Sequence, residues 1–178
     1  DERVAFQEAA SLRDCGDEVD IFSVADKEMN REEKMRWMKE MLSSSEYDVI
    51  ICDTPIAVNV ACQVRKKNRG ASIKTKVIYD ITEWYPSKKN LRGYSFVQTI
   101  IRFISLSFLS LVAGCRTDGF IFGEYYKSFP FKYLFFWKSM SIVSYYAPLN
   151  KIKMIPMKES LHSNCTFYYS GNLTSEKG

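Results

Sequence analysis

The stretch Lys76-Val77-Ile78-Tyr79-Asp80-Ile81, followed by Thr82, decides the fold of this chain. Its apolar and β-branched side chains predict a strand, and polar residues gather where that strand ends. Upstream, Val49-Ile50-Ile51-Cys52 is a continuous apolar run of the kind found in strands buried on both faces. Because a predicted helix over residues 55–68 lies between them, the two strands predict a parallel β-α-β unit.

The same alternation of strands and helices extends along most of the 178 residues. Together these elements predict an α/β fold, a Rossmann-like, doubly wound parallel sheet with helices on both faces. The chain opens in the middle of this pattern, so we expect its first strand to be missing. Further strands are predicted at residues 18–24, 119–123, 141–145 and 165–171, and further helices at residues 4–12, 31–42 and 96–113.

The predicted elements also divide the chain. We predict a Rossmann-like domain over residues 1–150, a polar connector over residues 151–164, and the start of a second domain at residues 165–178. Apolar residues make up 46% of the chain, which is enough for a packed core and excludes wholesale disorder.

Charge is distributed unevenly between the two parts of the chain. Residues 1–48 carry 7 basic and 14 acidic side chains, whereas residues 49–178 carry 18 and 7, a net charge of +11. A positive surface attracts phosphates, acidic lipid head groups or nucleic acid. The charge leaves these three classes of partner open. With the motifs described below, we expect a nucleotide-sugar donor, a saccharide or lipid-linked acceptor and an anionic membrane surface as partners, and no nucleic acid.

The cysteines indicate a reducing compartment. They number five, an odd count, and no C-x-x-C motif occurs, so neither a disulfide framework nor a zinc site is expected. His162 is the single histidine and lies in the predicted connector, where we assign it no role. We therefore predict a cytoplasmic protein with neither a metal nor a cofactor.

Candidate substrate-binding residues follow the predicted strands, because ligands of parallel sheets bind beyond the carboxyl ends of the strands. We select Asp80, Thr82, Glu83 and Trp84 after one strand and Glu124 after another. Carboxylates can hold sugar hydroxyls while an indole ring covers a sugar face. Alternatively, Asp80 or Thr82 caps the next turn and Trp84 fills the core.

The segment Asp53-Thr54-Pro55 permits another interpretation. It resembles the end of the Walker B strand of deviant P-loop ATPases, in which the aspartate holds magnesium. The chain has no G-x-x-x-x-G-K-[ST] motif, however, and an ordinary helix cap explains the same residues. The ATPase hypothesis therefore ranks behind the others.

The long apolar segment over residues 96–113 has three interpretations. A helix packed in the core of the sheet layer is the one we favour, docking at a membrane surface is the second, and a membrane span is the third. Polar residues such as Gln98 and Arg102 disfavour the span. The nearby aromatic run contains Lys127, Lys132 and Lys138, which we predict to face an acidic lipid interface.

The order of these motifs resembles that of group 1 glycosyltransferases of the GT-B fold. The segment Tyr79-Asp80-Ile81-Thr82-Glu83-Trp84-Tyr85-Pro86 is similar to the family's Tyr-Asp-x-His-Glu-x-Tyr-Pro, with Thr82 where histidine is common. Residues 1–19 resemble the family's first helix and the segment after it, residues 47–54 the third strand, and Thr117-Asp118-Gly119-Phe120-Ile121 an Ala-Asp-Gly strand entry. Residues 168–178 resemble the opening of the second Rossmann domain.

The resemblance implies that this chain is the acceptor-side half of a retaining, metal-independent glycosyltransferase. Such an enzyme moves a sugar from a nucleotide-sugar donor to a glycan or lipid-linked saccharide, often at the cytosolic face of a membrane. The donor site would then lie beyond Gly178, and the chain alone would be inactive. The alternative from another class is a non-catalytic, Rossmann-like module that binds a membrane surface or a partner.

Overall fold

Four parallel strands form the sheet in the part of the chain that the computed structural model describes, residues 8–23, 28–67, 74–82, 86–87 and 91–143. They are β1 (Val49–Cys52), β2 (Lys76–Ile81), β3 (Gly119–Phe122) and β4 (Ser139–Ile142). Each strand pairs with the next one in sequence, in the order β1-β2-β3-β4. This parallel sheet with its helical connections confirms the predicted Rossmann-like α/β class.

Helices lie between successive strands as predicted, whereas two helices precede β1 with no strand between them in the described residues. The connection from β3 to β4 contains a 3₁₀ turn (Tyr125–Ser128) and a cis peptide bond between Phe129 and Pro130. The α-helices are α1 (Ala9–Asp14), α2 (Arg31–Ser43), α3 (Pro55–Lys67), α4 (Phe96–Arg116) and α5 (Phe131–Leu134).

Local sequence explains where the helices begin and end. Asn30 and Glu33 form a capping box at the start of α2, and Ser95 and Gln98 form another at the start of α4. Gly16 follows α1 with a φ of 96°, a left-handed conformation that glycine adopts without strain and that ends the helix.

An aromatic core covers one face of the sheet. Since side chains alternate between the faces of a strand, Tyr79 and Ile81 of β2 point the same way, and the register places Phe120 and Phe122 beside them. Phe131 and Phe135 pack on these rings from the β3–β4 connection. Helix α3 adds Val58 and Ala61, and α4 adds Ala113. Helices on this face therefore fix the ends of β2 and β3 relative to each other.

Two strand predictions need correction. Residues 18–23, predicted as most of a strand, form no strand: they run as a surface segment in which Ile21 and Phe22 are 43% and 37% exposed. Phe22 packs edge-on against Trp37 and Tyr47, so this segment is held by an aromatic contact without a neighbouring strand in the described residues. Strand β4 begins at Ser139, two residues before its predicted start at residue 141.

The domain predictions lie largely outside the described residues. All described residues belong to one compact unit that ends at Tyr145. The connector over residues 151–164 and the second-domain strand over residues 165–171 stay predictions.

Candidate functional site

The carboxyl edge of the sheet brings together residues that follow β2 and β3. Ile81 and Phe122 are paired at the ends of these neighbouring strands, so Thr82 and the Gly123-Glu124 segment leave the sheet side by side. Thr82 is half-buried and Glu124 is exposed. Two of the five predicted substrate-binding residues thus lie at adjacent strand ends.

A lysine ties these two strand ends together. The Nζ atom of Lys127 donates a hydrogen bond to the backbone oxygen of Thr82 at 2.8 Å and lies 3.6 Å from Oε1 of Glu124. The Lys127 side chain is 19% exposed, whereas that of Glu124 is 49% exposed. The sequence pattern indicated a membrane surface for Lys127 and did not reveal this position. Its spacing, three residues after a strand-end glutamate, was the available signal.

Two tyrosines form a rim beside this pair. Tyr126 and Tyr125 are 69% and 66% exposed. A hydrogen bond with Glu124 raises the pKa of Tyr126, because it favours the protonated phenol. A hydrogen bond from Lys132 Nζ to the Tyr125 hydroxyl, 2.8 Å long, lowers the pKa of Tyr125 and raises that of Lys132. The rim therefore offers phenol groups and exposed rings next to a carboxylate and an ammonium group.

Asp80 lies within β2, one residue before the end of the strand. Its side chain is fully buried, on the sheet face opposite the aromatic core, and it takes part in interactions within the protein. Contact between Asp80 and a saccharide stays a prediction.

Glu83 and Trp84 lie outside the described residues. The hydroxyl contact predicted for Glu83 and the stacking predicted for Trp84 therefore stay predictions.

Lys138 serves the fold rather than this edge. Its Nζ donates hydrogen bonds to the backbone oxygens of Gly114, Cys115 and Thr117, at 2.7, 2.8 and 2.5 Å. These carbonyls end α4, where a cation complements the helix dipole. Burial lowers the pKa of Lys138. Its predicted membrane contact would have to compete with these three bonds.

A second polar cluster lies at the opposite, amino edge of the sheet. Asp118 accepts hydrogen bonds from Arg65 and from the backbone N–H of Val77, and the Thr117 hydroxyl donates to the Val77 oxygen. Arg65 also donates to the backbone oxygen of Arg116. Since each of these bonds joins separate elements, the cluster ties α3, β2 and the end of α4 together.

The ATPase alternative gains no support from β1. The Thr54 hydroxyl oxygen accepts a hydrogen bond from the backbone N–H of Ala57 at 3.2 Å, so Thr54 caps α3. The helix-cap interpretation of Asp53-Thr54-Pro55 is confirmed in this respect. Among the described residues, no group of three or more His, Cys, Asp and Glu side chains is arranged to hold a metal ion.

The exposure of the long helix α4 contradicts another prediction. It is long and apolar enough to cross a membrane, and only 11% of its most apolar 18-residue stretch is buried within the protein. The core-packing interpretation is therefore wrong for most of this helix. Its last turns do pack: Ser110 and Ala113 are buried, and Gly114 lies against the ring of Phe135.

The parallel sheet and its strand-end residues define a Rossmann-like α/β protein. In comparisons with known proteins, no family model, curated protein or solved structure matches the chain. The site itself therefore carries the functional proposal.

Proposed function

We propose that this chain is the acceptor-side domain of a glycosyltransferase that moves a sugar from a nucleotide-sugar donor to a glycan or lipid-linked saccharide. The observation that carries the proposal is the Thr82–Lys127–Glu124 arrangement at the carboxyl edge of the sheet. It coincides with the segment whose sequence resembles the acceptor side of group 1 glycosyltransferases. In parallel sheets this edge is where ligands bind.

The chemistry of the edge suits a saccharide that carries phosphate. The Glu124 carboxylate can accept hydrogen bonds from sugar hydroxyls, and exposed Tyr125 and Tyr126 rings can lie against sugar faces. Lys127 offers an ammonium group, a common phosphate ligand, whose remaining protons can point to a diphosphate.

Transfer itself requires a donor site that the proposal assigns to a further domain. We therefore name no catalytic residue in this chain and expect no transfer by it alone. The chain should also bind no nucleotide sugar with submicromolar affinity, and tight donor binding would contradict the domain assignment.

Calorimetry tests the acceptor assignment. The chain should bind a saccharide linked through a diphosphate to a short isoprenoid more tightly than it binds the free saccharide. Lys127→Met should remove most of this difference, whereas Lys66→Met, an exposed lysine on α3, should leave it intact. Equal affinities for the two probes, unaffected by Lys127→Met, would count against the proposal.

A second candidate function is a non-catalytic module that binds a membrane surface. The exposure of α4 favours it, with Phe96, Ile104 and Phe108 each more than 60% exposed. Membrane binding without any saccharide affinity would favour this candidate over the glycosyltransferase.

A further inference from the structure

Helix α4 buries its small side chains and exposes its large apolar ones. Ser110, Ala113 and Gly114 form the buried side, against α3 and Phe135. Opposite them runs an apolar stripe at alternating spacings of four and three residues, which we call the outward stripe. Its members Val97, Ile101, Ile104, Phe108 and Leu111 are 64%, 61%, 61%, 68% and 40% exposed. A helix packed in a soluble protein shows the reverse pattern, so this surface requires an apolar partner.

The breadth of the surface argues against a second helix as that partner. Ile100 borders the outward stripe and is 43% exposed, and Phe96 and Phe103, on the helix face that Ser110 continues seven residues further on, are 79% and 46% exposed. A coiled-coil seam is narrow and is bordered by charged residues that set its register. Here the bordering positions are uncharged: Gln98, Ser105 and Val112 on one side, Ile100 and Ser107 on the other. A broad apolar surface of this kind fits hydrocarbon better than a single helical groove.

The charges around the stripe complement an anionic bilayer. Residues 91–143 contain six basic and two acidic side chains. Both acids have cationic neighbours, Asp118 with Arg65 and Glu124 with Lys127. On α4 itself, the Arg102 guanidinium lies 3.7 Å from the centre of the Tyr94 ring. A long cationic side chain against an aromatic ring is suited to the boundary between lipid tails and head groups.

Exposed aromatic residues continue this boundary in the β3–β4 connection. Tyr133 and Trp137 are each 64% exposed, and Phe136 is 78% exposed. Lys132 lies 4.4 Å and 5.1 Å from the ring centres of Tyr125 and Tyr133. Tyrosine, tryptophan and lysine in this mixture are typical of membrane interfaces.

The anchoring of α4 limits how deeply it can enter a bilayer. Its 21 residues would extend about 32 Å, but the last turns pack on α3 and their carbonyls bind Lys138. We propose that the outward stripe docks onto an anionic lipid bilayer and enters one leaflet without crossing it. This inference goes beyond the proposed glycosyltransferase function, and no saccharide is needed to test it.

Vesicle flotation of the full chain is the direct experiment. Vesicles of phosphatidylcholine with 30% phosphatidylglycerol should bind the chain, pure phosphatidylcholine should bind it less, and added salt should reduce the difference. Each basic side chain at an acidic surface should account for about a fivefold change in partitioning.

A triple variant isolates the stripe. Ile101→Gln/Ile104→Gln/Phe108→Gln should weaken partitioning by roughly tenfold for each side chain withdrawn from lipid. Val49→Gln/Ile142→Gln, at apolar positions 52% and 46% exposed on the sheet, is the matched control and should bind vesicles like the unchanged chain. Circular dichroism checks that both variants keep their helix content.

Two further measurements distinguish lipid binding at the outward stripe from binding of a second copy of the chain. Cys115 is exposed at the next position of the stripe, so anionic vesicles should slow its alkylation. Unchanged flotation of the triple variant would overturn the proposal. So would sedimentation equilibrium showing a dimer that the triple variant dissociates, because the stripe would then bind a second copy of the chain.

Discussion

At the scale of single residues, the structure shows different contacts for two lysines that the sequence pattern placed together at a lipid interface. Lys127 joins two strand ends, and Lys138 caps a helix, although both lie in one aromatic and basic run. The composition shows that the segment is positively charged. Only the folded backbone shows which carbonyl oxygen accepts a hydrogen bond from each lysine. Neither hydrogen bond could be predicted from spacing, because each joins residues more than twenty positions apart.

Replacing Lys138 tests its structural role. Lys138→Met should lower the free energy of unfolding by about 1–2 kcal/mol, since three carbonyls at the end of α4 lose a charged donor. Lys132→Met, whose ammonium lies at the surface against a tyrosine, should change it much less. Urea denaturation measures both, and equal effects would refute the cap.

Thiol reactivity tests the burial of the cysteines. Cys15 and Cys115 are exposed, whereas burial raises the pKa of Cys62 and that of Cys52. A raised pKa leaves less thiolate at a given pH, so iodoacetamide at pH 8 should modify Cys15 and Cys115 first. The rate at Cys62 should rise as the pH increases. Peptide mass spectrometry would contradict this picture if Cys62 reacted as fast as Cys115 in the native chain.

At the scale of elements, the apolar runs predicted the strands well and the packing of α4 poorly. Strands β1 and β2 have the predicted bounds, because a continuous apolar run leaves little freedom in its placement. Helix α4 was also placed correctly, from Phe96, but its apolar residues surround most of its circumference. The hydropathy pattern therefore does not predict which side of the helix packs against the protein. The buried side is the one that carries the small residues Ser110 and Ala113.

The contact between α4 and the residue that ends α5 yields a prediction. A Cβ atom at Gly114 would lie 2.6 Å from Cε2 of Phe135, a buried ring in the core. Gly114→Ala should therefore lower the melting temperature, even though alanine favours helix by about 1 kcal/mol.

A compensating change identifies the cause. Adding Phe135→Leu to Gly114→Ala should restore part of the stability relative to Phe135→Leu alone, because the smaller side chain leaves room for the methyl group. If Gly114→Ala stabilises the chain by its full helix propensity, the close packing of α4 on Phe135 is wrong.

At the scale of the whole molecule, the order of strands and helices could be predicted from the sequence, and the site only in part. Parallel β-α-β units bring successive strand ends to one edge, so the nearness of Thr82 and Glu124 could be predicted from the sequence, whereas their role in binding stays a prediction. The burial of Asp80 depends on which face it occupies and on what covers that face. Residues 18–23 looked like a strand, but a strand also needs a neighbour, which periodicity does not supply.

The function proposed for this chain depends on the carboxyl edge binding the saccharide acceptor. The most direct measurement is the amide NMR spectrum of the chain titrated with a saccharide linked through diphosphate to a short isoprenoid. We predict saturable shifts centred on Thr82 and on residues 123–127, with little change at the amino edge around Asp118, and we predict that Glu124→Gln weakens them. Shifts confined to α4 would show that only the lipid part binds, and an unchanged carboxyl edge would contradict the proposal.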